Sequence, residues 1–594
     1  MGDTVCLDDH AIIGNMQTAA LISRKDASVE FMCYPHFDSP SLFCRILDSS
    51  KGHFAIHPAS VGNVKQFYYP LSNVLVTRFS DDQGIGQVID LMPISSSVNK
   101  SPVLVRKVEV LRGEMEFSVQ FIPKPEYGQS NTSSLNLKVA KSDKGIVVDE
   151  KQEAVLIRQS ESVIYYLAET EDTTCYDFEG LQAMIEGTNE FWRRWVSKCT
   201  YKGRWREMVL RSALVLKLLT FAPTGAIIAA PTFSLPARTG YDENWDYRFA
   251  WIRDSAFTLY AFIRIGLIDE ARAYMKWIEK ILNESNDNED AGIKVMYGIH
   301  LRNKICYDEI LDERVLEDFQ GFQGSRPVRI GNAAVHQSQL DIYGELMDSI
   351  YLCDKYFSQI SFDLWNRIKA EIVKPVMNGW KDPDHGIWEV RGPPRHHVYS
   401  KVMCWVAIDR AIRMAIKHSL PAPLEEWRLI RDEIRDNIMT YGWNDELQSF
   451  TQYYGSKNLD AANLIMPLVF FIAPNDPKMV KTIEATLKSP VNNGLTVNNM
   501  VYRFETEQQS KKEGTFTMCS FWLSEAMARA SVNYDDNLLK KSRDMFEQLL
   551  GYANHVGLYS EGLDITGKAT GNFPQAFTHF SLISAAYCLD RILG

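Results

Sequence analysis

Residues 386–401 read Gly-Ile-Trp-Glu-Val-Arg-Gly-Pro-Pro-Arg-His-His-Val-Tyr-Ser-Lys, and an apolar run with helical spacing follows at 402–416. Glycine and proline interrupt the first half of this stretch, so it predicts an irregular turn that leads into a buried helix. Glu389 lies in the turn beside Trp388. An adjacent aromatic ring excludes water and favours the protonated form of a carboxyl group, which a general acid requires. The same pair is also typical of an ordinary surface loop, and this stretch alone leaves both interpretations open.

Long connections and apolar helical runs alternate from residue 205 to the end of the chain. Twelve segments have the apolar spacing of a helix: 205–219, 252–265, 268–282, 333–354, 358–378, 400–418, 423–440, 458–470, 476–488, 513–530, 535–552 and 574–592. A connecting helix is predicted ahead of them at 180–196. Twelve helices are typical of six hairpins closed into a ring, so we predict an (α/α)6 toroid, or six-hairpin barrel.

The connections between these helices are long and rich in Trp, Tyr, Arg and Gly. They span 220–251, 284–332, 379–399, 441–457, 489–512 and 553–573. Long connections inside a compact domain are usually functional or disordered, and this composition favours order. Because they occupy alternate helix junctions, we expect them to meet at one end of the ring and to form a pocket there.

The N-terminal part of the chain has a different period. Its apolar and polar residues alternate, as at 103–111 and 162–168, with Gly, Pro, Asn and Asp between the runs. Many short strands with polar breaks predict an antiparallel β-sandwich rather than a parallel sheet. We therefore predict three parts: an N-terminal β-sandwich domain at 1–180, a helical linker at 181–204 and an (α/α)6 catalytic domain at 205–594.

Composition limits the partners that this chain is expected to have. A formal net charge of −11 argues against binding to nucleic acid or to an anionic membrane surface, so a small neutral substrate is expected. No apolar run reaches the roughly 20 residues of a membrane span. The ten cysteines are scattered without a C-x-x-C pair, and we expect neither a metal nor another cofactor. No signal peptide is predicted, which favours a cytoplasmic location, and a homo-oligomer stays open.

The end of the first connection concentrates residues that suit sugars. Residues 241–254 read Tyr-Asp-Glu-Asn-Trp-Asp-Tyr-Arg-Phe-Ala-Trp-Ile-Arg-Asp. Aromatic rings pack on the apolar faces of a pyranose, whereas Arg and Asp hydrogen-bond to neighbouring hydroxyl groups. For Arg253 and Asp254 an ion pair at a helix start is the alternative. The candidate substrate-binding residues here and in the turn at 386–392 are Trp245, Tyr247, Arg248, Trp251, Arg253, Asp254, Trp388 and Arg391.

A second carboxylate of interest, Glu561, lies in the last long connection. Residues 555–564 read His-Val-Gly-Leu-Tyr-Ser-Glu-Gly-Leu-Asp. One protonated and one ionised carboxyl group are the minimum equipment for cleaving a glycosidic bond. From the residues alone, Glu561 is otherwise a capping or turn carboxylate, and Asp564 is its rival.

Several stretches over nearly the whole chain carry a family resemblance. They are 12–21, 37–40, 244–248, 251–254, 324–332, 386–392, 513–516 and 571–577. In these stretches and in their order the chain resembles glycoside hydrolase family 15, the group of glucoamylases, glucodextranases and bacterial-type trehalases. The resemblance implies an N-terminal β-sandwich, an (α/α)6 barrel and inversion at the anomeric carbon.

The resemblance also implies roles for individual residues. Glu389 matches the general acid of the family, and Glu561 matches the general base. Arg253 and Asp254 match residues that hold the non-reducing glucosyl unit, while Arg503 resembles an arginine near the leaving-group sugar. Three departures from the family pattern are Tyr399 in place of a common histidine, Gln509-Ser-Lys-Lys512 in place of a Gly-rich stretch, and Gly562 in place of a frequent second acidic residue. They affect the leaving-group side of the pocket, and hence the substrate.

The favoured hypothesis is an exo-acting α-glucoside hydrolase that releases β-glucose from a short substrate, such as trehalose or an α-1,6-linked disaccharide. In a single displacement, Glu389 protonates the glycosidic oxygen while Glu561 takes a proton from the attacking water. Two alternatives stay open. One is a family member that acts on a glycosylated small metabolite, and the other is a non-hydrolytic sugar-binding protein of the same fold.

Overall fold

The computed structural model describes residues 6–60, 62–94, 103–142, 154–172, 174–284, 293–300, 310–357, 359–504, 514–532 and 535–594. These residues belong to two compact units. The first comprises Met1–Cys199, Glu317–Val328 and Ala553–Leu558, and the second comprises Thr200–Leu316, Arg329–Tyr552 and Tyr559–Gly594. Neither unit is continuous in sequence, and the predicted boundaries near residues 180 and 205 stay predictions. Glu513, which opens one of the family stretches, lies outside the described residues.

The described part of the first unit contains twelve strands, all paired in antiparallel fashion. They are β1 (His10–Gly14), β2 (Ala19–Ser23), β3 (Val29–Cys33), β4 (Ser41–Phe43), β5 (His53–Pro58), β6 (Asn63–Tyr68), β7 (Leu75–Ser80), β8 (Gly84–Leu91), β9 (Leu104–Ile122), β10 (Leu135–Lys141), β11 (Ala154–Arg158) and β12 (Ser162–Glu169). The pairing order is β1-β2-β3-β5-β9-β8-β7-β6, with β4 beside β3, β10 beside β12, and β11 and β12 beside β9.

The long strand β9 joins the two halves of this sheet. Its first part pairs with β8 and β12, and its second part pairs with β5 and β11. Strand β1 packs against β7 and β8 without pairing with them. The two halves are therefore stacked on each other. An apolar core that includes Val76, Val105 and Ile164 packs the half that contains β7, β8 and β12 against Leu181 and Ile185 of the helix Phe178–Val196. The predicted antiparallel sandwich is confirmed.

Helices dominate the second unit. With the connecting helix of the first unit as α1, they are α1 (Phe178–Val196), α2 (Arg206–Leu218), α3 (Ile252–Arg264), α4 (Ile268–Glu284), α5 (Asp341–Tyr356), α6 (Phe362–Ile368), α7 (Lys374–Gly379), α8 (Val398–His418), α9 (Leu424–Tyr441), α10 (Pro477–Thr486), α11 (Thr517–Ser531), α12 (Asp536–Leu550) and α13 (Ala576–Leu593). The π-helical turn Lys369–Val373 joins α6 to α7. Within the described residues, none of these helices is long and apolar enough to cross a bilayer.

Short strands lie in the connections between these helices. They are β13 (Phe233–Pro236), β14 (Asn244–Asp246), β15 (Ala250–Trp251), β16 (Met296–Tyr297), β17 (Arg314–Val315), β18 (Arg329–Ile330), β19 (Trp443–Asn444), β20 (Ser449–Phe450), β21 (Thr496–Val497), β22 (Met500–Val501), β23 (Thr515–Phe516), β24 (Gly562–Leu563) and β25 (Ala569–Thr570). Strand β24 pairs with both β23 and β25, which gives the last connection an ordered frame.

Six inner elements of the second unit close into a ring. Helix α3 packs on α5, α5 on α8, α8 on the 3-10 helix Ala461–Ile465, that helix on α11, α11 on α13, and α13 on α3. The other helices pack outside them. The inner helix α8 is buried on nearly all sides, whereas the outer helix α9 buries only Trp427, Ile434 and Ile438. This alternation is the predicted (α/α)6 toroid.

The prediction of an α-helix at 458–470, in the inner ring, is wrong. The structure has the short 3-10 helix Ala461–Ile465 there, followed by turns. Pro467 lacks an amide hydrogen, and its ring would clash with the carbonyl group one turn earlier, so an α-helix cannot pass through it. The carboxyl group of Asp460 caps the 3-10 helix by accepting from the Ala462 amide at 2.8 Å.

The predicted helix 333–354 begins later than expected. A 3-10 turn occupies its first residues, and α5 starts only at residue 341. The intervening backbone bonds to another segment: the Ser338 carbonyl accepts from the His385 amide at 2.9 Å, and the Leu340 amide donates to Asp384 Oδ2 at 2.9 Å. These hydrogen bonds replace a helical turn and tie the start of α5 to the turn that precedes residue 389.

Candidate active site

A pocket of about 440 Å³ lies at the end of the ring where α3, α11 and α13 begin. Four of the long connections contribute to its wall, as expected from their positions between helices. The lining residues are Ala229, Tyr247, Trp251, Arg253, Asp254, Ile387, Trp388, Glu389, Arg503, Phe516, Met518, Glu561, Gln575 and Phe577. Both glutamates that the sequence singles out therefore face one pocket.

Two donors hold one carboxyl oxygen of Glu389. Trp251 Nε1 donates to Oε1 at 2.7 Å, and Arg253 Nη2 donates to the same oxygen at 3.0 Å. The backbone of Glu389 has a φ of +56°, a left-handed conformation that residues other than glycine rarely adopt. Such conformations cost energy and cluster at functional sites. The carboxyl group is thus oriented by a strained turn and by two fixed donors.

A chain of glutamines supports this turn. Gln337 Nε2 donates to the Glu389 carbonyl oxygen at 3.2 Å, and Gln339 Nε2 donates to Gln337 Oε1 at 3.0 Å. Arg253, which donates to the Glu389 carboxyl group through Nη2, also donates to Gln339 Oε1 through Nη1 at 3.1 Å. Neither glutamine was predicted as part of the site, because an uncharged amide inside the predicted helix 333–354 carries no motif of its own.

Glu561 is held by donors from two other elements. Its Oε1 accepts from the Tyr247 hydroxyl at 2.5 Å and from Gln575 Nε2 at 3.4 Å. Thr578 Oγ1 donates to Gln575 Oε1 at 2.8 Å and so orients the amide. Burial and the neighbouring Glu561 raise the pKa of Tyr247 well above its ordinary value, which keeps the phenol protonated as a donor. Two donors on one oxygen suit an ionised carboxylate.

Two glycines shape the surroundings of Glu561. A side chain at Gly571, whose φ is +76°, would collide with Glu561 Oε2. At Gly562, a Cβ atom would lie 2.8 Å from the Thr515 carbonyl oxygen and 3.0 Å from Thr570 Oγ1. Strand β24 is packed closely between its neighbours. Position 562 therefore has no room for the acidic side chain that many members of the similar family have there.

Three carboxyl groups surround the guanidinium group of Arg253. Besides the contact with Glu389, Nε lies 3.5 Å from Asp254 Oδ2, and Nη1 lies 3.8 Å from Asp341 Oδ2. Burial raises the pKa of Asp254 to about 6 and that of Asp341 to about 7, although Arg253 opposes both shifts. Two carboxyl groups beside Arg253 therefore have pKa values near neutral pH.

Trp388 belongs to an aromatic wall of the pocket. Its ring lies 6.0 Å from that of Trp522 and 6.2 Å from that of Phe516, and its Nε1 donates to the buried Asp460 at 2.8 Å. The Arg503 guanidinium lies 4.2 Å from the Phe516 ring centroid and 5.5 Å from that of Trp388. These contacts with aromatic faces hold the guanidinium group on the wall of the pocket.

Arg248, one of the predicted binding residues, does not line the pocket. It is buried, and its Nε and Nη2 atoms bind both oxygens of Asp246 at 2.9 and 2.6 Å. The guanidinium plane also lies over the Phe233 ring at 4.5 Å. Asp246, two residues earlier in the chain, therefore binds the guanidinium group that we expected to face a substrate.

Trp245 and Arg391 are also placed outside the pocket lining. The Arg391 guanidinium lies 3.9 Å from the Trp245 ring centroid, and both of its Nη atoms bind Glu313. The Arg329 guanidinium lies 4.7 Å from the same ring. Because Glu313 engages both terminal nitrogens of Arg391, this arginine holds the segment after Glu389 rather than lining the pocket.

The pocket contains further residues that were not predicted individually. They are Ala229, Ile387, Phe516, Met518, Gln575 and Phe577. The stretch 571–577 was recognised as a motif, and this is the signal that could have identified Gln575 and Phe577. Ile387 and Phe516 likewise fall in the recognised stretches 386–392 and 513–516, whereas Ala229 and Met518 lie outside them and are indistinguishable in sequence from core residues.

Residues 203–587 match the family described as glycosyl hydrolases family 15, and residues 2–174 match a family described as trehalase-like, N-terminal. The chain belongs to glycosyl hydrolase family 15. The trehalase of Thermoplasma volcanium is 35% identical to it, over 98% of this chain and 93% of the relative. The trehalase of Mycobacterium tuberculosis is 34% identical, over 98% of this chain and 89% of the relative.

A solved structure supports the fold of this family 15 protein. The crystal structure of a bacterial glucoamylase complexed with acarbose matches with a TM-score of 0.64 and 12% identity, over 99% of this chain and 96% of that chain. At this identity the match concerns the fold. Together with the family match and the relatives, the protein is a glycoside hydrolase of the glucoamylase and trehalase type.

The pocket of this family 15 hydrolase has the parts that acid–base chemistry requires. Glu389 and Glu561 come from different connections, and each is oriented through one oxygen by two donors. Such a pair can protonate a leaving group and deprotonate a nucleophile.

Proposed function

We propose that this family 15 hydrolase cleaves a short α-glucoside with inversion and releases β-glucose, and that trehalose is its main substrate. The observation that carries the proposal is the position of Glu389 and Glu561 on the wall of one pocket, each oriented through its Oε1 atom. Two curated relatives that align over nearly the whole chain are trehalases, which supports the choice of substrate.

Glu389 acts as the general acid in this proposal. Its Oε1 accepts from Trp251 and Arg253, so Oε2 carries the proton that passes to the glycosidic oxygen. The two donors stabilise the negative charge that develops on the carboxyl group as the proton leaves. The strained turn and the glutamine chain behind it keep Oε2 directed into the pocket.

Glu561 acts as the general base. Tyr247 and Gln575 engage its Oε1, and the missing side chain at Gly571 leaves the space that the Glu561 carboxyl group itself occupies. Inversion requires the two carboxyl groups to be separated by about 6.5–9.5 Å, so that the water fits between the base and the anomeric carbon. Water attacks as the bond to the leaving sugar breaks.

The remaining polar residues hold the sugar in this proposal. Asp254 and Arg253 at the start of α3 bind hydroxyl groups of the terminal glucosyl unit. Trp388 and Arg503 lie on the leaving-group side, where the aromatic wall packs against the second sugar.

Proton NMR of the first products of trehalose hydrolysis tests the proposal. Inversion predicts one β-glucose and one α-glucose per trehalose before mutarotation, whereas retention would yield two α-glucose molecules. Parallel assays with isomaltose, maltose and nitrophenyl α-glucoside define the substrate. Hydrolysis of the aryl glucoside but of none of the disaccharides would favour a glycosylated metabolite. Saturable sugar binding without any hydrolysis would favour a binding protein.

A further inference from the structure

A second cavity of about 440 Å³ lies within the ring, between the inner helices α3, α5, α8 and α13. Helix α3 connects it to the first pocket: Asp254 lines the pocket, and Phe257 and Tyr260 of the following turns line the cavity. Its lining includes the half-buried side chains of Tyr260, Asp348 and Leu352, so the cavity has a rim with access to solvent.

Glu345 provides a polar atom in this cavity that lacks a partner. The residue is 3% exposed, and its Oε1 accepts from the Tyr399 hydroxyl at 2.9 Å. Its Oε2 has no hydrogen-bond partner in the part of the chain that the structure describes. A buried carboxyl oxygen without a hydrogen-bond partner costs free energy. A ligand that donates a hydrogen bond to it therefore gains binding free energy.

The other lining groups indicate what kind of ligand would donate. Phe257 and Phe580 stack with their ring centroids 5.1 Å apart and form an aromatic wall, and aromatic faces attract cations. Asp348, the other carboxylate of the lining, is already paired with Arg410 Nε at 2.6 Å. Glu345 is therefore the carboxyl group available for a cation, and the surrounding surface is mostly apolar.

We propose that this cavity binds a small primary ammonium ion that carries an apolar group, with the nitrogen at Glu345 Oε2 and the apolar group against Phe257 and Phe580. A charge-assisted bond to the carboxylate selects the ammonium ion over a neutral alcohol of the same shape. This site is separate from the proposed sugar pocket and does not depend on the proposed reaction.

Binding should release a proton from Glu345. Burial, reinforced by the nearby Asp341, raises the pKa of Glu345 well above its ordinary value, so the empty site holds a protonated carboxyl group. An incoming cation favours the ionised form, and the carboxyl proton passes to the buffer. The titratable and charged groups around Glu345 are Arg253, Asp254 and Tyr260 of α3, Asp341 and Asp348 of α5, and Tyr399 and Arg410 of α8.

Titration calorimetry of the full chain at neutral pH tests this site. Benzylamine is the probe, and benzyl alcohol is the neutral control of similar shape. Measurements in phosphate and MOPS, which differ in ionisation enthalpy, report the protons released. We expect saturable binding of benzylamine with proton release, and binding of the alcohol that is about tenfold or more weaker. Equal affinities, or no saturable binding of the amine, would overturn the proposal.

Two variants assign the carboxyl group. Glu345→Gln should weaken benzylamine about 10- to 100-fold and abolish the proton release, because it removes the charge while keeping the shape. Asp348→Asn is the matched control and should retain affinity, since Glu345 is intact. The opposite pattern would show that Glu345 is not the ligand. The alcohol comparison uses the unmodified protein, so it decides the question even if Glu345→Gln does not fold.

Discussion

The guanidinium group of Arg253 donates to Glu389 Oε1 at 3.0 Å, although the two residues are 136 positions apart in the chain. The same group lies close to Asp254 and Asp341, so the positive charge of Arg253 lies beside three carboxyl groups. This contact joins the start of α3 to the turn at 386–392. The charge state of the pocket therefore depends on residues from three different parts of the sequence.

Glu389→Gln should separate protonation of the leaving group from the rest of catalysis. The amide oxygen can still accept from Trp251 and Arg253, so the pocket should keep its shape. On trehalose we expect kcat to fall about 10²- to 10⁴-fold, the usual contribution of a general acid. On α-glucosyl fluoride, whose leaving group needs little protonation, the loss should be far smaller. Equal losses on both substrates would mean that Glu389 is not the acid.

Glu561→Gln should lower kcat about 10²- to 10⁴-fold on every substrate, including the fluoride, because water must be deprotonated in each case. Asp564→Asn is the matched control. Asp564 Oδ1 accepts from the amides of Thr566 and Lys568 at 2.8 and 3.0 Å, which identifies it as a turn carboxylate. We expect its substitution to leave kcat unchanged. A large loss in Asp564→Asn with activity retained in Glu561→Gln would reverse the assignment.

Asp254→Asn should weaken transition-state binding without unfolding the protein. Loss of a charged hydrogen-bond acceptor to a sugar hydroxyl costs about 1.5–3 kcal/mol, so kcat/KM for trehalose should fall roughly 10- to 150-fold. Thermal unfolding measured alongside serves as the control. If the variant loses stability but the folded fraction keeps its specific activity, Asp254 is structural and does not bind the substrate.

Gly571→Ala should reduce activity by displacing the carboxyl group of Glu561. The new methyl group would meet Glu561 Oε2, and misplacing a catalytic group can lower kcat about tenfold or more. Gly567→Ala is the matched control, because it also has a positive φ, of +88°, but its methyl group would meet the Tyr552 ring. Both variants should be less stable, whereas only Gly571→Ala should lose kcat. Equal kcat values in the two variants would contradict the prediction.

Asp460 should make the protein less stable as the pH rises from about 4 to 7. Burial raises its pKa from 3.8 to about 7, so the folded state binds more protons than the unfolded state over this range. Stability should therefore fall with increasing pH, by at most about 1.4 kcal/mol per unit from this group. Asp460→Asn keeps an acceptor for Trp388 Nε1 but removes the titration.

Urea unfolding at pH 5 and pH 7.5 measures this effect. The decrease in stability between the two pH values should be smaller in Asp460→Asn than in the unmodified protein. Identical decreases in both proteins would show that Asp460 does not titrate in this range. The two proteins should differ most at pH 7.5, where the carboxyl group is largely ionised and its burial costs most.

The periodicity of the sequence is enough to predict the architecture. Alternation at period two predicts the strands of the first unit, and apolar helical spacing predicts most helices of the ring, because each element buries one face against its neighbours. The two departures have local causes that sequence spacing does not capture. Pro467 prevents an α-helix at 458–470, and hydrogen bonds of Ser338 and Leu340 to a distant segment delay the start of α5.

By itself, the sequence determined the order of strands and helices, the long connections and the two glutamates, since periodicity and motifs are local properties of the chain. Only the tertiary structure decided which side chains meet. Arg248 bonds to Asp246, Arg391 bonds to Glu313, and Gln575 reaches Glu561, and no local pattern distinguishes these outcomes. The physical reason is that a guanidinium or an amide binds whichever complementary group the fold brings within about 3 Å, and closure of the ring sets that distance.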